Sequence, residues 1–177
     1  MNRPVMIPTQ QVQDLFKPLL GQFAWNVDGG VGSMLTLEFG APHILVREPR
    51  VPSPGGSERV RRHLRRRHVS VVGDWHLWIQ YCDWKISVAD GSCDSENFDW
   101  RRPDECLGDL DGQRLIGVGS LPNSWKFEFD LGGALGLWPS TEYEATDNLW
   151  SLYRWSADPE DSRFVAAVQS DGALVFA

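Results

Sequence analysis

The sequence predicts an all-β protein with a minor helix: an antiparallel β-sandwich or a partly open β-barrel with a short N-terminal helix. The chain has 177 residues, near the size of one ordinary domain. Short apolar segments with a period of two recur along it and are separated by turn residues. The connections are too short for the crossovers of a parallel sheet. We therefore expect a single β domain over residues 1–177.

Residues 1–22 are predicted to be the N-terminal helical segment. Thr9 is a suitable N-cap, and apolar side chains follow at helical spacing: Val12, Leu15, Phe16 and Leu19. Pro18 and Gly21 limit or end the helix.

Beyond Gly21 the apolar period changes to two, which indicates strands. Strands are predicted over 24–27, 34–39, 43–48, 68–72, 75–84, 85–88, 115–120, 124–131, 134–138, 148–155, 164–169 and 173–176. The clearest of them is 124–131, where Trp125, Phe127, Phe129 and Leu131 share one face. Polar side chains occupy its other face, as in a half-buried antiparallel strand.

Two segments interrupt the strands and carry opposite charge. Residues 49–67 read as a long Arg-rich loop, with a helical turn beginning at Ser57. Residues 47–67 hold eight Arg and two Glu, which gives this segment a charge of +6. Because the net charge of the whole chain is −7, the remaining residues together carry −13. Residues 89–112 are acidic and irregular, with a short helix over 103–110. Long loops of this kind are usually functional or disordered.

The run 75–84 has two apolar faces. If it is one strand, Trp75, Leu77, Ile79 and Tyr81 share one face, and His76, Trp78, Gln80, Cys82 and Trp84 share the other. One face lies on the core, and the second is covered by the N-terminal helix, a ligand or a partner. The second set is therefore a candidate ligand- or partner-binding surface, because Trp supplies a large rigid contact area.

Glu38 lies on the same face of its predicted strand as Thr36. If that face lines a barrel interior, Glu38 is a buried carboxylate and a candidate acid or base. If the face is turned to water, the residue is an ordinary surface carboxylate, as simple alternation favours. Glu38 joins the candidate binding residues on this basis.

The Arg-rich loop is a candidate anion-binding site. Its residues Arg61, Arg62, Arg65, Arg66 and Arg67 supply charges that phosphate groups bind. The alternative is a solvated loop, or one held against the acidic segment. Binding of nucleic acid is not expected, because the chain is acidic and no aromatic residue interleaves the arginines.

The cysteines and the N-terminus predict a cytoplasmic protein. Cys82, Cys93 and Cys106 are an odd set without CxxC spacing, so reduced thiols are expected. The first eight residues are too polar for a signal peptide, and no apolar run spans a bilayer. The scattered histidines match no metal-ligand framework, so neither a metal nor a cofactor is expected.

Several segments together resemble a group of uncharacterised bacterial proteins of about this size. The segments are 32–42 (GSMLTLEFGAP), 75–79 (WHLWI), 82–84 (CDW), 110–113 (LDGQ) and 127–133 (FEFDLGG). The resemblance covers most of the chain from Gly21 onward. It implies a bacterial cytoplasmic protein and no particular activity.

The leading functional hypothesis is a non-enzymatic binding protein whose partner is another protein, in the manner of small acidic immunity proteins that cover a basic toxin. The acidic charge and the two-faced Trp run favour it. One alternative is a barrel that binds a small apolar or aromatic ligand in a Trp-lined pocket. A second alternative is an enzyme that uses Glu38 or His76. The oligomeric state is left open.

Overall fold

The structure is a computed structural model that describes residues 9–53, 55, 57–99, 105–121, 124–140, 147–156, 163–170 and 173–177. Its strands are β1 Ala24–Gly29, β2 Leu35–Phe39, β3 His43–Arg47, β4 His68–Val72, β5 Trp75–Ile79, β6 Cys82–Val88, β7 Gly91–Asp94, β8 Leu115–Leu121, β9 Ser124–Phe129, β10 Ala134–Pro139, β11 Asn148–Arg154, β12 Arg163–Gln169 and β13 Leu174–Phe176. Its helices are α1 Thr9–Phe16, α2 Glu58–Leu64 and α3 Glu105–Leu110.

The strands form antiparallel sheets of six, five and two strands. Their orders are β1-β2-β5-β11-β12-β13, then β7-β6-β10-β9-β8, and the separate pair β3-β4. The predicted fold class, an all-β sandwich with a short N-terminal helix, is confirmed. Side chains from the inner faces of the two larger sheets meet in one buried core.

The N-terminal helix contributes to this core as its spacing predicted. α1 packs beside β8, and the Phe16 ring lies 5.0 Å from that of Phe127 and 5.6 Å from that of Trp150. The chain then tightens into a 3-10 turn over Lys17–Leu19, with Pro18 in its first turn. Proline suits the start of a helical turn because its missing N–H has no partner to lose there.

One long ribbon leaves the six-stranded sheet and bends. β2 pairs with β5 up to Phe39 and Trp75, and the continuation of the same two chain segments pairs as β3 with β4, from His43 and Val72 onward. The bend lies between these two pairings. One face of β3 and β4 lines a cavity together with the outer face of the large sheet, and α2 lies at the far end of the ribbon.

The prediction of one strand over 75–84 is wrong. The segment breaks at Gln80 and Tyr81, whose N–H groups both donate to the carbonyl of Leu149. The first half is β5 of the six-stranded sheet, and the second half opens β6 of the five-stranded sheet. The alternation of side chains therefore does not continue through the break.

Two smaller expectations also change. Leu131 does not share the buried face of β9, because the strand ends at Phe129 and the side chain of Leu131 is exposed in the following turn. The acidic segment 89–112 is not wholly irregular, since it holds β7 and α3. The helix predicted within it is confirmed from Glu105 onward, and residues 101–104 lie outside the described residues.

The prediction of three reduced cysteines is wrong. Cys93 on β7 and Cys106 on α3 form a disulfide, which leaves Cys82 as a buried free thiol. An odd number of cysteines does not prevent two of them from pairing. Among the described residues, the helices are too short and too polar to cross a membrane. The cytoplasmic location stays a prediction, and the disulfide is a feature more typical of oxidising compartments.

Candidate functional site

A cavity of about 500 Å³ lies between the bent ribbon and the outer face of the six-stranded sheet. The sheet supplies the floor from β2, β5 and β11, and the ribbon supplies one wall from β3 and β4. The residues that line it are Glu38, Leu45, Arg47, Val72, Gly73, His76, Trp78, Tyr153, Arg154, Trp155 and Ser156. A concave site with an apolar lining and a few converging polar groups is the usual form of a small-molecule site.

A carboxylate and an imidazole are paired at the floor of the cavity. Glu38 and His76 are directly opposite each other on β2 and β5, and Glu38 Oε1 lies 2.7 Å from His76 Nδ1. The other carboxylate oxygen of Glu38 accepts a 2.8 Å hydrogen bond from the backbone N–H of Gly73. Glu38 is only 3% exposed, so these two donors satisfy a carboxylate that water hardly reaches.

This pairing orients the imidazole with Nδ1 toward Glu38. Because Glu38 accepts the hydrogen bond at Nδ1, that nitrogen carries a proton. His76 Nε2 has no hydrogen-bond partner within the described part of the chain, and the side chain is about one-third exposed. The ring therefore offers Nε2 to a bound molecule, as an acceptor when neutral and as a donor when charged.

The bend that forms the cavity is held by a second histidine–carboxylate pair. Asp74 Oδ1 lies 2.6 Å from His43 Nε2, and Asp74 Oδ2 accepts a 2.7 Å bond from the N–H of Ala41. The hydrogen bond from His43 holds the pKa of Asp74 below its ordinary value, against the effect of partial burial. The carbonyl of Asp74 accepts the N–H of Trp155, which joins the bend to the end of β11.

Two glycines at the bend have no space for a side chain. A Cβ at Gly73 would lie 2.5 Å from the carbonyl oxygen of Phe39, and one at Gly40 would lie 2.4 Å from the carboxylate of Asp74. Gly40 also has a φ of 79°, in the left-handed region that favours glycine. The close approach of the two chain segments at the bend thus depends on both glycines.

Aromatic rings line much of the cavity. Trp78 and His76 project from β5, and the ring of Tyr153 lies 6.1 Å from that of His76. Trp155 stacks on His43 with ring centroids 4.0 Å apart. Its buried indole N–H has no acceptor within the described residues. Rings of this size give a planar ligand a large contact area with little loss of side-chain entropy.

The cavity is positively charged although the chain is acidic. Arg47 and Arg154 line it together with the single carboxylate of Glu38, which gives +1 with His76 neutral, whereas the whole chain carries −7. The guanidinium of Arg154 also lies over the ring of Trp75, at 5.5 Å. Both arginine side chains are exposed, so their charge reaches the mouth of the cavity.

The predicted binding residues lie in three different places. Glu38, His76 and Trp78 line the cavity. Gln80 lies at the break after β5, and the remaining two, Cys82 and Trp84, are buried in the core on β6. The prediction that the five residues of the run 75–84 share one face is wrong, because it assumed an unbroken strand.

Neither outcome expected for Glu38 describes it fully. The side chain is on the outer face of the sheet, not inside a barrel, yet it is buried because the bend covers it. Cys82 is buried in the core, and burial raises the pKa of its thiol strongly. Within the described residues, no three groups of metal-ligating type come together, so His76 and Cys82 form no such site.

Sequence reasoning missed most of the residues that line the cavity. Tyr153, Arg154 and Trp155 come from the end of β11, and Leu45 and Arg47 come from the ribbon. Nothing in the spacing of these residues links them to Glu38. The one usable signal was the pair of glycines that separate β2 from β3 and β4 from β5.

The predicted anion-binding arginines lie on and just after α2, at the tip of the ribbon. Arg62 and Arg66 line a separate cavity there. Arg67 instead pairs with Glu48, and this hydrogen bond lowers the pKa of Glu48 and raises that of Arg67. Arg61 and Arg65 are exposed and do not line that cavity.

No protein-family model matches the chain, and neither a curated protein nor a solved structure matches it. The cavity and its chemistry therefore carry the functional argument.

Proposed function

We propose that this protein binds a small planar aromatic ligand that carries an acidic group. The observation behind the proposal is the Glu38–His76 pair at the floor of an aromatic cavity whose lining is positively charged in an acidic chain. The proposal modifies the alternative that the sequence offered, a barrel with a Trp-lined pocket for a small apolar or aromatic ligand. The position of the cavity is different, since it lies on the outer face of a sheet and not inside a barrel.

Each part of such a ligand has a counterpart in the cavity. The ring lies against Trp78 and Tyr153, and the acidic group pairs with Arg47 or Arg154 at the mouth. Guanidinium groups bind carboxylates through two parallel hydrogen bonds, which also orient the ligand. His76 Nε2 then meets a polar substituent on the ring. Glu38 acts through His76 by holding its ring in place.

Calorimetry with matched probes tests the proposal. Indole-3-carboxylate and benzoate are titrated beside benzamide, which keeps the ring and lacks the charge. We expect the two carboxylates to bind and the amide to bind at least tenfold more weakly. No heat and no change in Trp fluorescence with any of the probes, or equal affinity for benzoate and benzamide, contradicts the proposal.

Two Trp variants locate the binding. Trp78→Leu removes a ring from the cavity, whereas Trp138→Leu removes a partly exposed ring on the other sheet. Loss of an aromatic contact costs about 0.5–1.5 kcal/mol beyond the buried area, so we expect a fall in affinity of about tenfold for the first variant only. Equal effects of the two substitutions would place the ligand elsewhere.

A protein partner is the second candidate, and an aliphatic strip on the ribbon favours it. Ile44, Val69 and Val71 lie on the face of β3 and β4 that points away from the cavity, and they are 70%, 64% and 52% exposed. The strip therefore suits a partner that presents an apolar patch of its own. This differs from the basic partner expected from the acidic charge, and the two-faced Trp run no longer supports that partner.

The strip is tested with Val69→Glu, which adds a charge without filling a core position. A partner bound through the strip is captured from extracts of the source cells by the wild-type protein and not by the variant. Its purified form must then bind the wild-type protein more tightly than it binds the variant. A partner captured equally by both proteins contradicts this use of the strip.

The enzyme hypothesis remains a prediction with a sharper test. It required Glu38 or His76 to line a cleft, and both do. A catalytic role requires turnover of a bound aromatic ester or amide that is lost in His76→Gln while ligand affinity is kept. Ligand that is recovered unchanged favours binding alone.

A further inference from the structure

We propose that the tip of the ribbon is a second binding site, for phosphate groups, independent of the aromatic cavity. A cavity of about 470 Å³ lies between α2 and β4. All six residues that line it are charged or can carry a charge: Glu58, Arg59, Arg62, His63, Arg66 and His68.

The helix brings these side chains together. Residues 59, 62, 63 and 66 recur at intervals of three and four, which places them on one side of a helix. Ser57 caps α2 by accepting the N–H of Val60 at 3.3 Å, and the N–H of Arg66 donates to the carbonyl of His63 just after the helix ends. The basic face therefore continues past the last helical residue.

β4 completes the cavity from the other side. The ring of His68 stacks on that of His63 with centroids 3.8 Å apart, and His68 Nε2 lies 2.9 Å from the carbonyl oxygen of His63. Arg67, which follows Arg66, turns away from the cavity and pairs with Glu48 at the end of β3. The closed end of the ribbon thus fixes two imidazoles against the arginine face.

The charge of this cluster is not balanced within the described residues. Three arginines meet one carboxylate, Glu58, which is 3.4 Å from Arg62, so the lining carries +2 with both histidines neutral. Arg59 and Arg66 have no ion-pair partner in the described part of the chain. Like charges that line one cavity repel each other, and a bound anion reduces the repulsion.

Phosphate fits this cluster better than a carboxylate does. A phosphate group presents three acceptor oxygens and up to two negative charges, which suit several guanidinium forks at once. The cavity is open, and it is large enough for a group of one or two phosphates. Phosphate groups are present both in free pyrophosphate and in a nucleic-acid backbone. The experiment distinguishes these two ligands.

Two double variants of equal charge provide the test. Arg59→Gln with Arg66→Gln removes two charges from the cavity, and Arg61→Gln with Arg65→Gln removes two charges from the same helical segment outside it. Binding of pyrophosphate and of a twelve-nucleotide single-stranded DNA is measured by calorimetry at 50 mM NaCl. We expect the first variant to weaken binding at least tenfold, and the second to weaken it less than threefold.

The two probes distinguish a free phosphate ligand from a nucleic-acid backbone, and their results can contradict the proposal. Binding of pyrophosphate identifies a compact free ligand, whereas binding of the oligonucleotide alone, with the same difference between variants, identifies a nucleic-acid backbone. Absence of binding by either probe overturns the proposal. Equal losses in the two variants also overturn it, because they indicate diffuse attraction rather than a site. Circular dichroism of each variant confirms that α2 is intact.

Discussion

Gly73→Ala is expected to disrupt the bend and the cavity together. A methyl group at this position would lie 2.5 Å from the carbonyl oxygen of Phe39, 2.9 Å from its nitrogen and 3.0 Å from the carbonyl oxygen of Trp75. All three are backbone atoms of strands inside the six-stranded sheet, so no side chain can rotate away to make room. The N–H of Gly73 must then move from Glu38.

The size of the effect has two parts. Forcing a methyl group into a packed site costs about 1–3 kcal/mol. Weakening the 2.8 Å bond to Glu38 leaves a buried carboxylate short of one donor, which costs about 1–3 kcal/mol more. The sum of about 2–6 kcal/mol is large beside the total stability of about 5–15 kcal/mol for a domain.

Urea unfolding followed by Trp fluorescence measures this loss, and Gly119→Ala is the matched control. Gly119 also lies in a strand, and a Cβ there meets nothing within 4 Å, so its effect should stay within about 1 kcal/mol. If Gly73→Ala fails to fold, Glu38→Gln tests the same bond at about 1–3 kcal/mol. Equal stability of the two Gly variants would refute the account of the bend.

Three further predictions concern the ionisable and sulfur-containing groups. Because His43 lowers the pKa of Asp74, the pair stabilises the fold above the ordinary range of an Asp carboxyl and loses that contribution as the pH falls below about 4; Asp74→Asn should flatten the acid limb of an unfolding curve. Reduction of Cys93–Cys106, which are 13 residues apart, should cost about 3 kcal/mol by loop entropy, measured by urea unfolding with and without reductant. Burial raises the pKa of Cys82, so an aromatic disulfide reagent at pH 8 should find no reactive thiol until urea unfolds the chain.

The sequence predicted the fold better than the site because its strongest signal is local. Alternation within β9 placed Trp125, Phe127 and Phe129 on the core side, and all three are buried. Alternation failed at Gln80, where the backbone passes from one sheet to the other. Side chains beyond this point no longer continue the inward and outward alternation of β5. An aromatic run without a glycine or proline gives no sign of such a break.

The disulfide and the cavity were out of reach for a related reason. Cys93 meets Cys106 because α3 packs beside β7, and Trp155 meets His43 because β11 ends beside the bend. Both are long-range contacts fixed by strand order. Spacing along the chain identifies elements and their faces, but it does not determine which elements become neighbours.

The burial of Glu38 connects these observations. Alternation assigns it correctly to the outer face of β2, where a carboxylate normally meets water. It is buried because Gly73, which has no side chain, allows the ribbon to cross directly above it and donate an N–H. Because the ribbon crosses here, its residues form one wall of the cavity, and His76 Nε2 is the atom of the pair that a ligand can contact. Gly73, Glu38 and His76 are therefore linked by hydrogen bonds, and together they form the floor of the cavity. Replacing any of the three should therefore alter the affinity of the cavity for its ligand.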